Sequence, residues 1–456
     1  MAREGAAGRG RIGMNDLERA RDHWLASALA FAAGRPAGEP PWIETLRAEA
    51  AGELAAAGLP SRRLEEWRYT NVTPIARGGF EPAPPGHAEI SRPDVEGIAF
   101  PVFACSLFVF VNGRFEPGLS APSRGPGLRV ESLAQALANE PDSLASQLGR
   151  IGDPKGHPFA ALNTAFLEDG AVVSVPAGIR AEQPIHLVFV SAANGTPTLS
   201  QPRVLVVAER GSQAVVIQDH VSLGPGPGLT NAVTEVLVGP DAGVDLVIVQ
   251  RESDEQLHVS NVACRQERNS RLSCHTLTLG GAWVRNDLAS LLMEEGAETR
   301  LDGLFVGAGD QLVDNHTLVD HAAPHCASQE LYKGILGGRA RGIFRGRVVV
   351  RPGAQKTDAR QSNPNVLLCD GAEIDTKPQL EIHADDVRCS HGSSIGCLDP
   401  EALYYLRSRG IGERSARELL TRGFAAEILS RLPSDALADS LGEVLPGRLR
   451  SAGGAP

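Results

Sequence analysis

Aromatic residues are scarce, at 5% of 456 positions. The core therefore has to be built from Val, Leu, Ile and Ala, and little is available for stacking on sugar rings. An excess of positive charge is also missing. Lys and Arg number 44 against 55 Asp and Glu, a net charge of −11, which argues against a general nucleic-acid binder because that task needs a cationic footprint. Long apolar runs are absent. The longest, residues 98–112, is interrupted by Pro101 and falls short of the roughly 20 residues that span a bilayer. Arg3, Arg9 and Arg11 are followed by no apolar stretch and cleavage site of a secretory leader.

Phosphate-binding loops are missing too. Of the four lysines (155, 333, 356 and 377), Lys356 is followed by Thr357 but preceded by Gln355 rather than Gly. No Gly-x-Gly-x-x-Gly opens a helix, so no nucleotide site of these kinds is expected. The seven cysteines, at 105, 264, 274, 326, 369, 389 and 397, include no Cys-x-x-Cys pair. An odd, scattered set fits neither a disulfide framework nor a Cys₄ zinc site. Free thiols point to a reducing compartment, the cytoplasm.

What is plentiful is chain punctuation: Gly and Pro together fill 81 positions. The hydrophobic fraction of 42% with 22% charged is that of a globular protein, and the length suggests two or three units at about 150 residues each. Residues 1–14 read as a disordered extension, with Asn15 capping a first helix and Glu18 three residues on. Residues 15–150 read as a helical and mixed region. Leu17, Ala20, Trp24, Ala28 and Phe31 recur at helical spacing. A second helix from about Trp42 ends at Gly58 and Pro60. Residues 74–97 look irregular, 108–115 read as a strand, and 130–148 as helical around Pro141.

Residues 151–398 are expected to form a mainly β core. From about Leu187 the pattern has period two, with candidate strands at 203–208, 214–220, 234–238, 244–250, 272–279, 299–305, 311–319, 342–351 and 379–383. No amphipathic helix intervenes, which excludes a βαβ sheet. Small residues open alternating strands at Gly211, Ala242, Ser270, Ala297, Gly353 and Gly371. The first of these are spaced almost evenly, and the last two stand closer together. This irregular repeat points to a β-solenoid of roughly seven to ten coils, whose corners need Gly, Asn and Asp; a β-sandwich fits less well. Residues 399–450 read as a C-terminal helical domain. Asp399 caps a helix at 401–408, and others follow at 413–422 (ended by Gly423), 425–432 and beyond Ser434. Residues 451–456 read as a disordered tail.

Three constellations could carry chemistry. His316, His321, His325 and Cys326 lie in HTLVDHAAPHC. An odd separation puts His316 and His321 on opposite faces of a strand, which favours separate histidines over a zinc site unless the chain bends before Pro324. Arg339, Arg341, Arg345, Arg347 and Arg351 share one strand face. They could meet phosphate or an acidic partner, or pair with carboxylates on neighbouring coils. Residues 381–396, EIHADDVRCSHGSSIG, put His383, Asp385, Asp386, Cys389 and His391 together. In an extended chain Cys389 and His391 share a face. Thiolate plus imidazole suits iron, zinc or copper, while a buried thiol and a satisfied histidine are the plain alternative.

From Tyr332 to Ile411 the chain resembles the SufB/SufD family of iron–sulfur cluster assembly proteins: YKGIL, FRGRVVV, AQKTDARQSNPNVLLCDGAEIDTKPQLEIHADDVRCSHGSSIG and LYYLRSRGI. CSHG at 389–392 and RLEEWRYT at 63–70 are the SufD-like forms. The resemblance implies a right-handed parallel β-helix between helical ends. It also implies a heterodimer with a SufB-like protein through the β-helix, and a SufC-like ABC-type ATPase docked on the C-terminal helices, so that ATP hydrolysis belongs to the partner and this chain is a scaffold rather than an enzyme. The histidine matching His391 would face a partner cysteine where a transient cluster or iron forms, none being held tightly by this chain alone; Cys389 is the weaker candidate. A homodimer of the isolated chain is a further expectation. The competing reading is a carbohydrate-active β-helix enzyme, with Asp302, Asp310, Asp314 and Asp320 as candidate carboxylates.

Overall fold

The computed structural model describes residues 14–35, 39–84, 86, 90–100, 105–122, 127–151 and 156–453. The expectations for residues 1–13 and 454–456 lie outside them. The chain is mainly β, a solenoid of about 8 turns between helical ends. Successive strands alternate between two sheets. One sheet runs from the hairpin Ser106–Val111 and Arg114–Phe115 through Ile185–Ser191, Gln213–Ser222, Gly243–Gln250, Arg271–Thr278, Glu298–Gly307, Ala327–Leu336 and Asp358–Leu367 to Arg388–Gly396. The other runs from Arg129–Ser132 and Gly170–Val175 through Arg203–Ala208, Gly228–Val238, Gln256–Gln266, Trp283–Leu292, Leu312–His321 and Arg341–Val350 to Glu373–Ile382. Neighbouring coils pair in parallel, so residues in register, such as Arg271 with Glu298 and Ala327 with Asp358, stand one coil apart in the chain.

Parallel register turns the sequence into columns. Val206, Val236, Cys264, Ser290, Val319, Val348 and Leu380 stack along one interior column. This column is mostly aliphatic, while another interior column stacks rings at the strand spacing, Phe110 on Phe189 at 4.9 Å and Phe189 on His220 at 5.0 Å. The corners form a column as well. Ser212, Ala242, Ser270, Ala297, Cys326 and Thr357 each accept a hydrogen bond from the residue that opens the next coil's strand. The small-residue repeat therefore starts at Ser212 rather than Gly211. It continues through Cys326 and Thr357, not through Gly353 and Gly371, which belong to other turns.

Several helical and loop expectations differ from what forms. The first helix is Met14–Ala33, one residue earlier than expected. Residues 129–132 are a strand, because Arg129–Ser132 pairs with Gly170–Val175, and within 130–148 the helical parts are Leu133–Asn139 and the 3-10 turn Pro141–Ser143. The stretch 74–97 holds helix Thr73–Arg77 and most of Arg92–Ile98. The two helices expected at 413–422 and 425–432 are one, Glu413–Leu429, which runs through Gly423. Burying Thr421, Ala425 and Ile428 on a single stripe outweighs the penalty of about 1 kcal/mol for an interior glycine. The last helix, Asp435–Ala452, carries Ser451 and Ala452 beyond the expected start of the tail. Ala452 is buried, and its carbonyl lies where a Cβ on Gly337 would stand.

These last two helices lie along the outside of the solenoid. Ala425, Ile428, Leu437, Leu441 and Leu445 pack on Val247, Val249, Leu277, Leu304 and Ile335. Lys333 Nζ reaches Glu427 at 2.7 Å and sits 3.9 Å from the Phe424 ring, and Arg431 meets the buried Asp302 at 2.9 Å.

Candidate functional site at the open end of the solenoid

Among the described residues, nothing stacks upon the final coil. Its strands Glu373–Ile382 and Arg388–Gly396 end both sheets, and helix Pro400–Ser408, which follows directly, buries none of its residues. Interior positions on this coil are therefore uncovered. In strand Asp358–Leu367 every second residue, Ala359, Gln361, Asn363 and Asn365, is buried. Their partners in register on the last strand are Cys389, His391, Ser393 and Ile395. The same face that is interior one coil earlier here meets solvent: His391 is exposed, Cys389 is half-buried against the core, and Ile395 is 50% exposed. Across the opening, Ile382 continues the column of fully buried Val350 and is 42% exposed.

Beneath this face the interior turns polar. His391, Gln361, Glu330 and Leu301 occupy one column. Glu330 is buried and accepts hydrogen bonds from Gln361 Nε2 at 2.6 Å and Thr317 Oγ1 at 2.5 Å. Burial pushes its carboxyl up to about 7, since removing a carboxylate from water favours the neutral form. The Gln361 side-chain oxygen Oε1 is buried with no hydrogen-bond partner among the described residues, one position in register below His391. Alongside, Asn363 Nδ2 donates to the Tyr332 carbonyl at 2.9 Å and accepts at Oδ1 from Thr376 at 2.8 Å. Burial raises the Cys389 thiol above its ordinary value, so it is a protonated thiol rather than an activated thiolate.

The chain's two parts match two family models. Residues 189–424 fit the SUF system FeS cluster assembly SufBD core domain, and residues 36–187 fit the SufBD protein N-terminal region. The chain belongs to the SufB/SufD family. An iron–sulfur cluster assembly SufBD family protein of Synechocystis is 35% identical, over 87% of this chain and 88% of its own. The iron–sulfur cluster assembly protein SufD of Escherichia coli is 30% identical, over 87% of this chain and 92% of its own. The SufD of Bacillus subtilis is 25% identical over 90% and 95%. The family's business is iron–sulfur cluster assembly.

For a SufB/SufD chain the donor set at the open end is informative. Among the described residues, no group of three or more His, Cys, Asp or Glu side chains is arranged to hold a metal ion. One imidazole and one thiol fall short of the four ligands that iron in a cluster takes. The other constellations fall apart. His316 faces outward and meets Asp314 at 3.0 Å. His321 is interior and shares a hydrogen bond of 2.9 Å with Ser328. His325 is a left-handed turn residue at φ 59°, and Cys326 is a corner whose Sγ lies 3.3 Å from the Glu294 carbonyl. His383 and Asp385 are exposed in the turn before the last strand, and Asp386 pairs with Lys356. The carboxylates of the competing enzyme reading are all engaged by arginines: Asp302 by Arg431, Asp310 by Arg339, Asp314 by Arg285 and Asp320 by Arg351. The arginine stripe is likewise mostly paired across coils, Arg341 with Asp375 and Arg347 with Glu381.

Sequence reasoning missed Gln361 and Glu330. The only signal for them is that each stands one coil before the next member of the column, Glu330 before Gln361 and Gln361 before His391. That offset becomes meaningful once the coil length is known. All seven cysteines are free, and no helix among the described residues is long and apolar enough to cross a membrane.

Proposed function

We propose that this chain is a non-ATPase scaffold subunit of a SufBCD-type assembly complex, and that nascent clusters form at its open solenoid end. The observation that carries the reading is the last coil itself: an unpaired parallel edge, interior residues turned to solvent, and His391 with Cys389 among them. An exposed edge strand is a template for pairing with another chain. A SufB-like partner adding its own edge there would cover Ile382 and Ile395 and supply the missing thiolate ligands. His391 then contributes an imidazole to iron or a cluster carried as cargo, with Cys389 in support. In isolation the same edge pairs with a second copy of the chain.

The ATPase enters through the C-terminal helices. Helix Pro400–Ser408 exposes Tyr404 and Tyr405 at 75% and 56%, a face suited to a SufC-like ABC-type partner. Closure of two such subunits on ATP would pull the region 401–432. Its rigid attachment through Lys333, Arg431 and the apolar seam would carry the motion into the solenoid and reshape the junction. The test is co-purification of an Ile395→Lys chain with a SufB-like partner. The edge variant should lose the partner while keeping its melting temperature and its SufC-like subunit; undiminished recovery of the SufB-like chain would refute docking at this end.

A further inference from the structure

A second feature lies on the outer face of the Glu373–Ile382 sheet, beneath the segment Glu65–Trp67 and helix Pro158–Ala165. It is a cavity of about 200 Å³. Parallel register gives it two floor columns. One runs Glu235, Ala263, Ala289, Leu318, Arg347, and the other Val233, Asn261, Asp287, His316, Arg345. Five strands at the usual spacing make a trench roughly 19 Å long. Along the first column its middle is apolar, Ala263, Ala289 and Leu318 facing Trp67 and Phe159, whose rings are 5.6 Å apart, while the second column there is polar, Asn261, Asp287 and His316.

The two ends differ in charge. At one end Glu235 is fully engaged, by Arg203 at 2.6 Å and by the amides of Gly149 and Ile151 at 2.9 and 3.1 Å. Beside the floor, Arg285 is saturated by Asp287 and Asp314, each at 2.7 Å, and stacks on Trp67 at 4.1 Å. Arg345, at the other end, is not matched. Its Nε donates to Gln379 at 3.2 Å and its guanidinium approaches the exposed Glu65 only to 3.8 Å, while Nη1 is buried with no hydrogen-bond partner among the described residues. The Asn261 amide nitrogen, in the same column, is another buried donor without one. Such donors are costly to bury unsatisfied. A fixed guanidinium at the end of an apolar slot is the chemistry that recognises an oxyanion with an organic body behind it. Glu66 lines the cavity as well, but is exposed.

We propose that this trench binds an elongated organic anion, with a flat apolar body over the alanine floor and a terminal carboxylate or phosphate on Arg345. The test is calorimetric titration of the full chain with three probes that share one body: 1-naphthyl phosphate, 1-naphthoate and neutral 1-naphthol. At least one anion should bind saturably at one site per chain. Arg345→Gln should weaken that binding tenfold or more and leave 1-naphthol unaffected, and Ala289→Phe should fill the floor and abolish binding of all three. The tighter of the two anions identifies the head group. Absence of saturable binding by both anions overturns the proposal, as does unchanged affinity in Arg345→Gln or in a folded Ala289→Phe. Arg345 supports no part of the interior core, so its variant decides the matter even where Ala289→Phe does not fold.

Discussion

Glu330 is a buried carboxyl whose hydrogen-bond partners, Gln361 and Thr317, are both neutral. Among the described residues it forms no ion pair with a cation, and burial raises its carboxyl to about 7 from 4.5. The folded chain therefore binds this proton more tightly than the unfolded chain does. The associated stability is fully present below pH 4.5 and is lost as the pH rises through about 7. At about 1.4 kcal/mol per pKa unit this comes to about 3 kcal/mol. Denaturant titrations at pH 5, 6, 7 and 8 should show that loss in the native chain and a flatter profile in Glu330→Gln, whose amide can still meet Thr317 and Gln361. An equal pH slope in the two proteins would contradict the assignment. The pair Cys389 and His391 was legible in the sequence at this scale because strand parity alone places them on one face. Their exposure was not, since it depends on the absence of a following coil.

At the scale of elements, legibility tracked the chemistry of the interior. Strands with aliphatic interiors, such as Arg203–Ala208, are plain in the sequence. Strand Asp358–Leu367 is not, because its interior column is Gln361, Asn363 and Asn365 and so gives no apolar alternation. The polar lumen near the open end hid Asp358–Leu367 and Arg388–Gly396, while Glu373–Ile382 showed only its end, at 379–383. Gly423 misled in the opposite sense by reading as a helix stop. It lies within a continuous helix, is exposed, and has open space where a Cβ would stand. Gly423→Ala should therefore stabilise the protein by about 0.5–1 kcal/mol, read as a raised denaturation midpoint. A loss of stability would restore the break between two helices.

At the scale of the molecule, a rod with one uncovered end and helices clamped along its flank presents two separate surfaces, which the proposed complex assigns to two kinds of partner. The end offers an edge strand and two donors that do not complete an iron site. The flank offers helix Glu413–Leu429, fixed to the rod through Lys333 and Arg431, and beside it helix Pro400–Ser408 with its unburied tyrosines. The solenoid and its coil number could be anticipated from turn-rich, aromatic-poor composition and the recurrence of small residues at the openings of its strands. Which end stays open could not, because it is set by how the C-terminal helices fold back onto the flank. Cluster formation at that end is read out by iron and acid-labile sulfide analysis. The sample is the anaerobically reconstituted complex of this chain with its SufB-like and SufC-like partners, native against His391→Ala. The His391→Ala complex is expected to remain intact and to carry less than a tenth of the native iron and sulfide. Equal loading in the His391→Ala complex would contradict cluster formation at that end.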